Sequence, residues 1–244
     1  MTDAPPPPPA PPTLRLILRR SAAAAWANRY PALALQLFAI VIGVGYATSE
    51  AVRDVFAHIT ELREQVGILF PLFSTALFAG FLPWLIQWLR PTTRAGATLG
   101  SLTFLLLVWA WKGAEADLLY RGQEWLVGDG RDPVTLALKT LIDQTLYAPL
   151  WGLPTLVFAF RWRGHRYQLA GMMREIRHGG GFGRWFRQYV LPVLVPNAMI
   201  WPPAVIVIYS LPLPLQLPMQ NLVACFWSAM LILLTEPGRG PEQA

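Results

Sequence analysis

Six stretches of the chain are apolar on all sides: roughly residues 31–49, 68–89, 97–111, 134–160, 189–211 and 218–235. A helix needs about 20 residues to cross the hydrocarbon core of a bilayer. The first, second, fourth and fifth stretches meet that length. The third and sixth are shorter, so they must tilt, draw in flanking residues or insert incompletely. None alternates apolar with polar residues in blocks of about ten, as the strands of a membrane barrel do. The pattern predicts an all-α protein, a polytopic transmembrane helix bundle of about six apolar helices. Prolines mark two of these as kinked: Pro149 and Pro154 in the fourth segment, and Pro192, Pro196, Pro202 and Pro203 in the fifth. Each ring removes a backbone donor and crowds the carbonyl four residues back.

The flanking regions differ in kind. Residues 1–12 contain PPPPPAPP, which reads as an extended, disordered Pro-rich tail, or as a ligand for a proline-reading domain. Residues 13–30 set Arg15, Arg19 and Arg20 among leucines and alanines, predicting an amphipathic interfacial helix. The Arg-rich, acid-poor start also resembles a mitochondrial transit peptide, but the polyproline ahead of it argues against that, and no cleavable signal peptide is recognisable. The transmembrane helical domain then runs over 31–235, followed by a tail at 236–244. With the N-terminal side inside and six alternating spans, 14 Lys and Arg residues fall inside and 5 outside, leaving Lys139 within a span. That bias fits an even number of spans with both ends on the cytoplasmic side. Tryptophans 26, 88, 111, 125, 162 and 185 sit near segment ends, as an interfacial aromatic belt requires.

Composition strengthens the membrane reading. The chain is 54% hydrophobic and 14% charged, with a mean hydropathy of +0.39, whereas a soluble domain carries about 25% charged residues. A soluble enzyme is excluded on that ground. The net charge of +6 would suit nucleic acid, but the arginines cluster between apolar runs. Seven of them lie in an Arg-rich loop over 161–187, expected to rest against anionic lipid headgroups, with GGGFG as a hinge. Its interleaved Trp, Tyr and Phe leave single-stranded nucleic acid as the alternative there; the position between two apolar segments favours lipid and no nucleic acid.

The fourth segment carries the candidate chemistry. Lys139 and Asp143 are four residues apart and share a helix face, and Gln144 follows. On a helix starting at 134, Asp143 lies about 14 Å along the axis, near the bilayer midplane, where ionisable groups are functional candidates. Alternatively, 134–143 lies along the interface and the span begins near Thr145. Asn197 sits among the prolines of the fifth segment. Lys139, Asp143, Gln144 and Asn197 are therefore expected to line a polar path, with Pro149, Trp201, Pro202 and Trp227 shaping kinks and packing. Hydrogen bonding that merely holds helices together is the plainer alternative. No serine elbow, HExxH, Walker loop or dinucleotide fingerprint occurs, and Gly179–Gly183 follows no strand and lacks the P-loop lysine. Cys225 is the only cysteine, and His58, His165 and His178 lack ligand spacing. No catalytic residue, cofactor or metal site is expected.

Three elements carry a resemblance. Ala137 to Pro149 (ALKTLIDQTLYAP) fits A-x-K-x-x-x-D-Q-x-x-x-x-P. Asn197-x-x-x-Trp201-Pro202 is followed by Tyr209, Pro212 and Trp227-Ser228. Gly113 precedes Leu119-Tyr120. Together they resemble the Mpv-seventeen and twenty-two-kilodalton peroxisomal membrane protein family, and Pro31 through Gly45 is similar to its first helix. Departures are Tyr46, Val205, Ile208 and Ser228, where the family carries Asp, Gln, Asn and Asn, and residues 51–90 read as an insertion with an extra span. The resemblance implies a membrane channel for small solutes or ions, linked to membrane homeostasis; the alternative is a non-conducting scaffold that binds other membrane proteins. A homo-oligomer is compatible with either. Arginine in place of lysine points to a bacterial cytoplasmic membrane, with the mitochondrial inner membrane as alternative.

Overall fold

Short polar residues and glycines punctuate this chain. The Ser49 hydroxyl accepts from the Val52 N–H, Glu50 sits in the first turn, and α2 runs over Glu50–Val66 until Gly67, at φ 57°, ends it. Thr98 accepts from the Ser101 N–H and opens α4, Leu99–Val127, which stops at Gly128 with φ 98°. Asp132 takes hydrogen bonds from the Val134 and Thr135 N–H groups and from the Thr135 hydroxyl, and Pro133 is the first residue of α5, Pro133–Ile142. A side-chain acceptor before the helix and proline at its first position satisfy the unpaired N-terminal donors.

A computed structural model describes residues 29–234, with Thr13, Arg15, Leu16, Arg19 and Trp26 ahead of them. The tails expected at 1–12 and 236–244 lie outside the described residues, as does most of 13–30; Arg15, Leu16, Arg19 and Trp26 are helical and exposed. Every regular element described is a helix, as expected. The remaining ones are α1 (Arg29–Thr48), α3 (Leu69–Leu89), α6 (Leu153–Gly164), α7 (Leu169–His178), α8 (Gly181–Trp185), α9 (Leu191–Ser210) and α10 (Leu213–Leu234).

The boundaries depart from the apolar runs in four places. The connection expected after residue 49 is helix α2. The third segment does not end at 111: its helix runs unbroken to Val127, 29 residues in all from Leu99. The sixth begins at Leu213 rather than 218. The Arg-rich stretch 161–187 is not a loop: it contains α7, α8 and the end of α6. In the third segment polar residues end the apolar run without ending the helix. Among the described residues one helix, α3, is long and apolar enough to cross a membrane, where six were expected.

The prolines act through winding. Three segments adopt π-helical turns: Ala76–Phe81 within α3, Asp143–Gly152 between α5 and α6, and Phe186–Val190 after α8. Each contains the carbonyl four residues before a proline: Ala79 before Pro83, Thr145 before Pro149, Leu150 before Pro154 and Gln188 before Pro192. A wider turn relieves the clash of ring and carbonyl. α9 remains helical from Leu191 to Ser210 through its four prolines.

The chain divides into two compact units. The larger comprises Tyr30–Thr140 and Pro203–Ala244, the smaller Met1–Arg29 and Leu141–Pro202. In the larger unit α3 and α4 pack antiparallel, and glycine permits the approach at two levels. A Cβ on Gly80 would lie 3.2 Å from the Leu105 carbonyl oxygen, and one on Gly113 only 2.0 Å from that of Pro71. Small residues of this kind let helix backbones come together. α10 packs against α2, α3 and α4. In the smaller unit Leu153, Met172, Trp185 and Val190 form a buried cluster, with Val157, Phe158 and Ile176 against it.

Candidate functional site: a polar interior in the larger unit

Helix α4 is turned inside out. Its buried positions are Ser101, Phe104, Val108, Lys112, Gly113, Ala116, Asp117, Tyr120 and Gln123, a helical period of three and four. In the second half this buried stripe is polar. The opposite side is apolar and exposed: Leu107, Trp111, Leu118 and Trp125. A soluble helix has the reverse arrangement.

Partners from distant parts of the sequence meet the stripe. The Arg63 guanidinium, from α2, donates to Asp117 Oδ1 and to the Leu213 carbonyl at 3.0 Å. Arg121, one turn on, donates to Asp117 Oδ2 at 2.8 Å. Lys112 pairs with Glu115 at 2.8 Å, and both side chains are only 8% exposed. Burying an ion costs several kcal/mol unless its charge and hydrogen bonds are matched, which is why Asp117 takes two guanidinium groups. Neutral bonds extend the network. Tyr120 O–H donates to Gln220 Oε1 at 2.9 Å, and Gln123 Nε2 donates to the Tyr209 hydroxyl at 2.8 Å. Tyr120 and Tyr209 meet edge to face, with centroids 5.6 Å apart. Thr75 donates to Asn221 Oδ1 at 2.6 Å, and Asn221 Nδ2 donates to Ser74 at 3.0 Å. The Gln123 side-chain oxygen is buried without a protein partner.

The residues expected from sequence are divided. Lys139 is buried in the larger unit, within the fields of Glu124 and Asp129. Asp143, Gln144 and Asn197 belong to the smaller unit. Gln144 Nε2 donates to Asp143 Oδ1 at 3.0 Å. Asp143 and Asn197 are both buried, but among the described residues no hydrogen bond joins Asn197 to Asp143 or Gln144. Pro149 lies in the π-helical segment. Trp201 and Pro202 are half-buried in α9. Trp227 lies in α10, and its side chain is outside the described residues.

Sequence reasoning passed over Arg63, Lys112, Glu115, Asp117, Gln123 and Asn221. The usable signal was the period: Lys112, Asp117, Tyr120 and Gln123 continue, by steps of three to five, the stripe begun at Ser101, Phe104 and Val108.

The smaller unit holds a second charged cluster. Glu175 on α7 receives the Arg161 guanidinium at 2.5 Å, and His165 Nε2 lies 2.5 Å from its other oxygen. Arg161 also lies over the Tyr189 ring, 4.2 Å from its centroid. Burial pushes the Glu175 pKa up, but hydrogen bonds from His165, Tyr189 and Arg161 outweigh it and hold the carboxyl below its usual range. Among the described residues no three His, Cys, Asp or Glu side chains gather as a metal site.

No protein-family model, curated protein or solved structure matches the chain.

Proposed function

We propose that this chain is an integral membrane protein whose larger unit carries a polar path for small solutes or ions. The observation that carries the reading is the inversion of α4, with Lys112, Asp117 and Gln123 turned inward and Leu107, Leu118 and Trp125 outward. Exposed apolar side chains beside buried charges suit a lipid solvent, and ionisable groups held inside such a bundle commonly serve ion or solute passage. The span-length helix α3 packs directly against α4 and supports the same reading. So does the resemblance to the Mpv-seventeen family, two of whose matched tyrosines, Tyr120 and Tyr209, are in contact. The bundle would be polytopic, in a bacterial cytoplasmic membrane. In this reading Arg63 and Asp117 gate the path, Lys139 adds to its charge, and Asp143 with Gln144 forms a separate polar pair.

The second reading is a non-conducting scaffold. It is favoured by the mutual satisfaction of Arg63, Asp117 and Arg121 and of Thr75, Asn221 and Ser74. Planar-bilayer recording of the purified protein beside Asp117→Asn and Asp143→Asn separates the two. Discrete wild-type conductance whose selectivity shifts in Asp117→Asn supports the path. A silent bilayer, with the protein shown to be folded and inserted, supports the scaffold.

A further inference from the structure

Between residues 161 and 187 the chain has seven arginines and one carboxylate, Glu175. Glu175 is occupied by Arg161 and His165. Arg166, Arg174, Arg177 and Arg187 are exposed, and among the described residues no carboxylate pairs with them. This stretch therefore accounts for the whole formal excess of +6 on the protein.

The charge is held on a folded platform. Met172 of α7 is fully buried against the Leu153, Trp185 and Val190 cluster, so the helix is anchored by its apolar side and turns Arg174, Arg177 and His178 outward. Large apolar side chains stand exposed within the same stretch: Tyr167 at 48%, Leu169 at 55% and Phe182 at 59%. Arg166 and Tyr167 adopt left-handed backbone, φ 53° and 62°, an uncommon conformation for such residues.

We infer that the exposed surface of α7 and α8 docks onto an anionic phospholipid surface, the arginines meeting phosphates and Leu169 and Phe182 entering the headgroup boundary. Arginine with interspersed aromatic and aliphatic groups is the chemistry of membrane-interface helices. A single-stranded nucleic acid would share the phosphates but needs open aromatic faces for its bases. Here Phe182 is stacked on Trp185 with centroids 5.6 Å apart, and Tyr167 stands edge-on to Trp162 at 5.3 Å. Leu169 offers no ring at all.

The inference rests on the membrane reading, and the test separates the two. Full-length protein carrying Cys225→Ser and Phe182→Cys is labelled with an environment-sensitive fluorophore. It is reconstituted in phosphatidylcholine nanodiscs with or without phosphatidylglycerol, using brominated acyl chains as quencher. A companion protein carries the label at Leu77→Cys on α3. The expected result is quenching at position 182 that needs phosphatidylglycerol and is reversed by salt. Arg174→Gln with Arg177→Gln should lower the docking equilibrium about twenty-five-fold, at about fivefold per arginine. Quenching at 182 that is equal in both lipids and unaffected by the arginine changes would overturn the inference. So would a label at 182 that stays in water while the one at 77 is quenched, or one protected by a single-stranded oligonucleotide but not by phosphatidylglycerol. An unquenched label at 77 removes the membrane reading, and this inference with it.

Discussion

Both units set an arginine against a carboxylate, yet the two pairs live in different surroundings. In the larger unit the Arg63 and Asp117 side chains are 7% and 3% exposed, and Asp117 has a second guanidinium from Arg121. In the smaller unit the Arg161 and Glu175 side chains are 38% and 18% exposed, with His165 as the additional partner. The first pair is shielded from water and salt, so each member depends on the other. The second stays in exchange with solvent, so protons and salt can reach it. Residue type is shared; burial decides whether the pair is a fixed part of the interior or a responsive part of the surface.

The comparison breaks most sharply at glycine. Gly113→Leu places a side chain where even a Cβ would lie 2.0 Å from the Pro71 carbonyl. Overpacking against backbone costs about 1–3 kcal/mol and more when nothing can move, so this variant should fail to yield monodisperse protein in detergent. Gly183→Ala in the smaller unit meets nothing within 4 Å and should raise the thermal midpoint slightly through helix propensity. Next in size, Asp117→Ala strands Arg63 in the interior and should lose about 3–5 kcal/mol in denaturant titration. Changing both partners, Arg63→Met with Asp117→Leu, should recover stability to within about 2 kcal/mol of wild type, because an apolar pair can replace a buried ion pair. If the polar path conducts, the same double variant should be stable but silent in bilayer recording. Unchanged conductance would remove Arg63 and Asp117 from the path.

The smallest effect belongs to Glu175. Its native pKa is depressed below the ordinary value of 4.5, so its contribution to stability is fully present above that value. It is lost as pH falls through the depressed native pKa. Amide exchange in α7 should therefore accelerate on acidification below about pH 4.5, the unperturbed carboxylate range, and Glu175→Gln should flatten that response. A wild type that loses protection only above neutral pH would contradict the sign.

Much of the outline was legible in advance. Apolar run length located α3 almost to the residue, expected at 68–89 and found at Leu69–Leu89, since an uninterrupted lipophilic surface is written in every position of such a helix. Pro149 and Pro154 marked the irregular winding of the fourth segment, but the π-helical turn before Pro83 in α3 was not expected, and α9 stays helical through its four prolines. The charged positions misled. Lys112, Glu115 and Asp117 ended the apolar run and were read as a connection, whereas they continue α4 on its buried side. The stretch from Arg161 to Arg187 was expected as a loop, whereas it holds α7, α8 and the end of α6.

The sequence by itself determined that the chain is helical, where α3 runs, and that the arginines gather in one late stretch. These are local properties: periodicity, run length, proline chemistry and charge density act over a few turns and need no partner. Only the tertiary structure decided which charges are buried and with whom. Arg63 and Asp117 are 54 positions apart, and Thr75 and Asn221 are 146 apart. A buried charge is tolerable only beside its partner, and no local pattern states which distant helix will bring that partner.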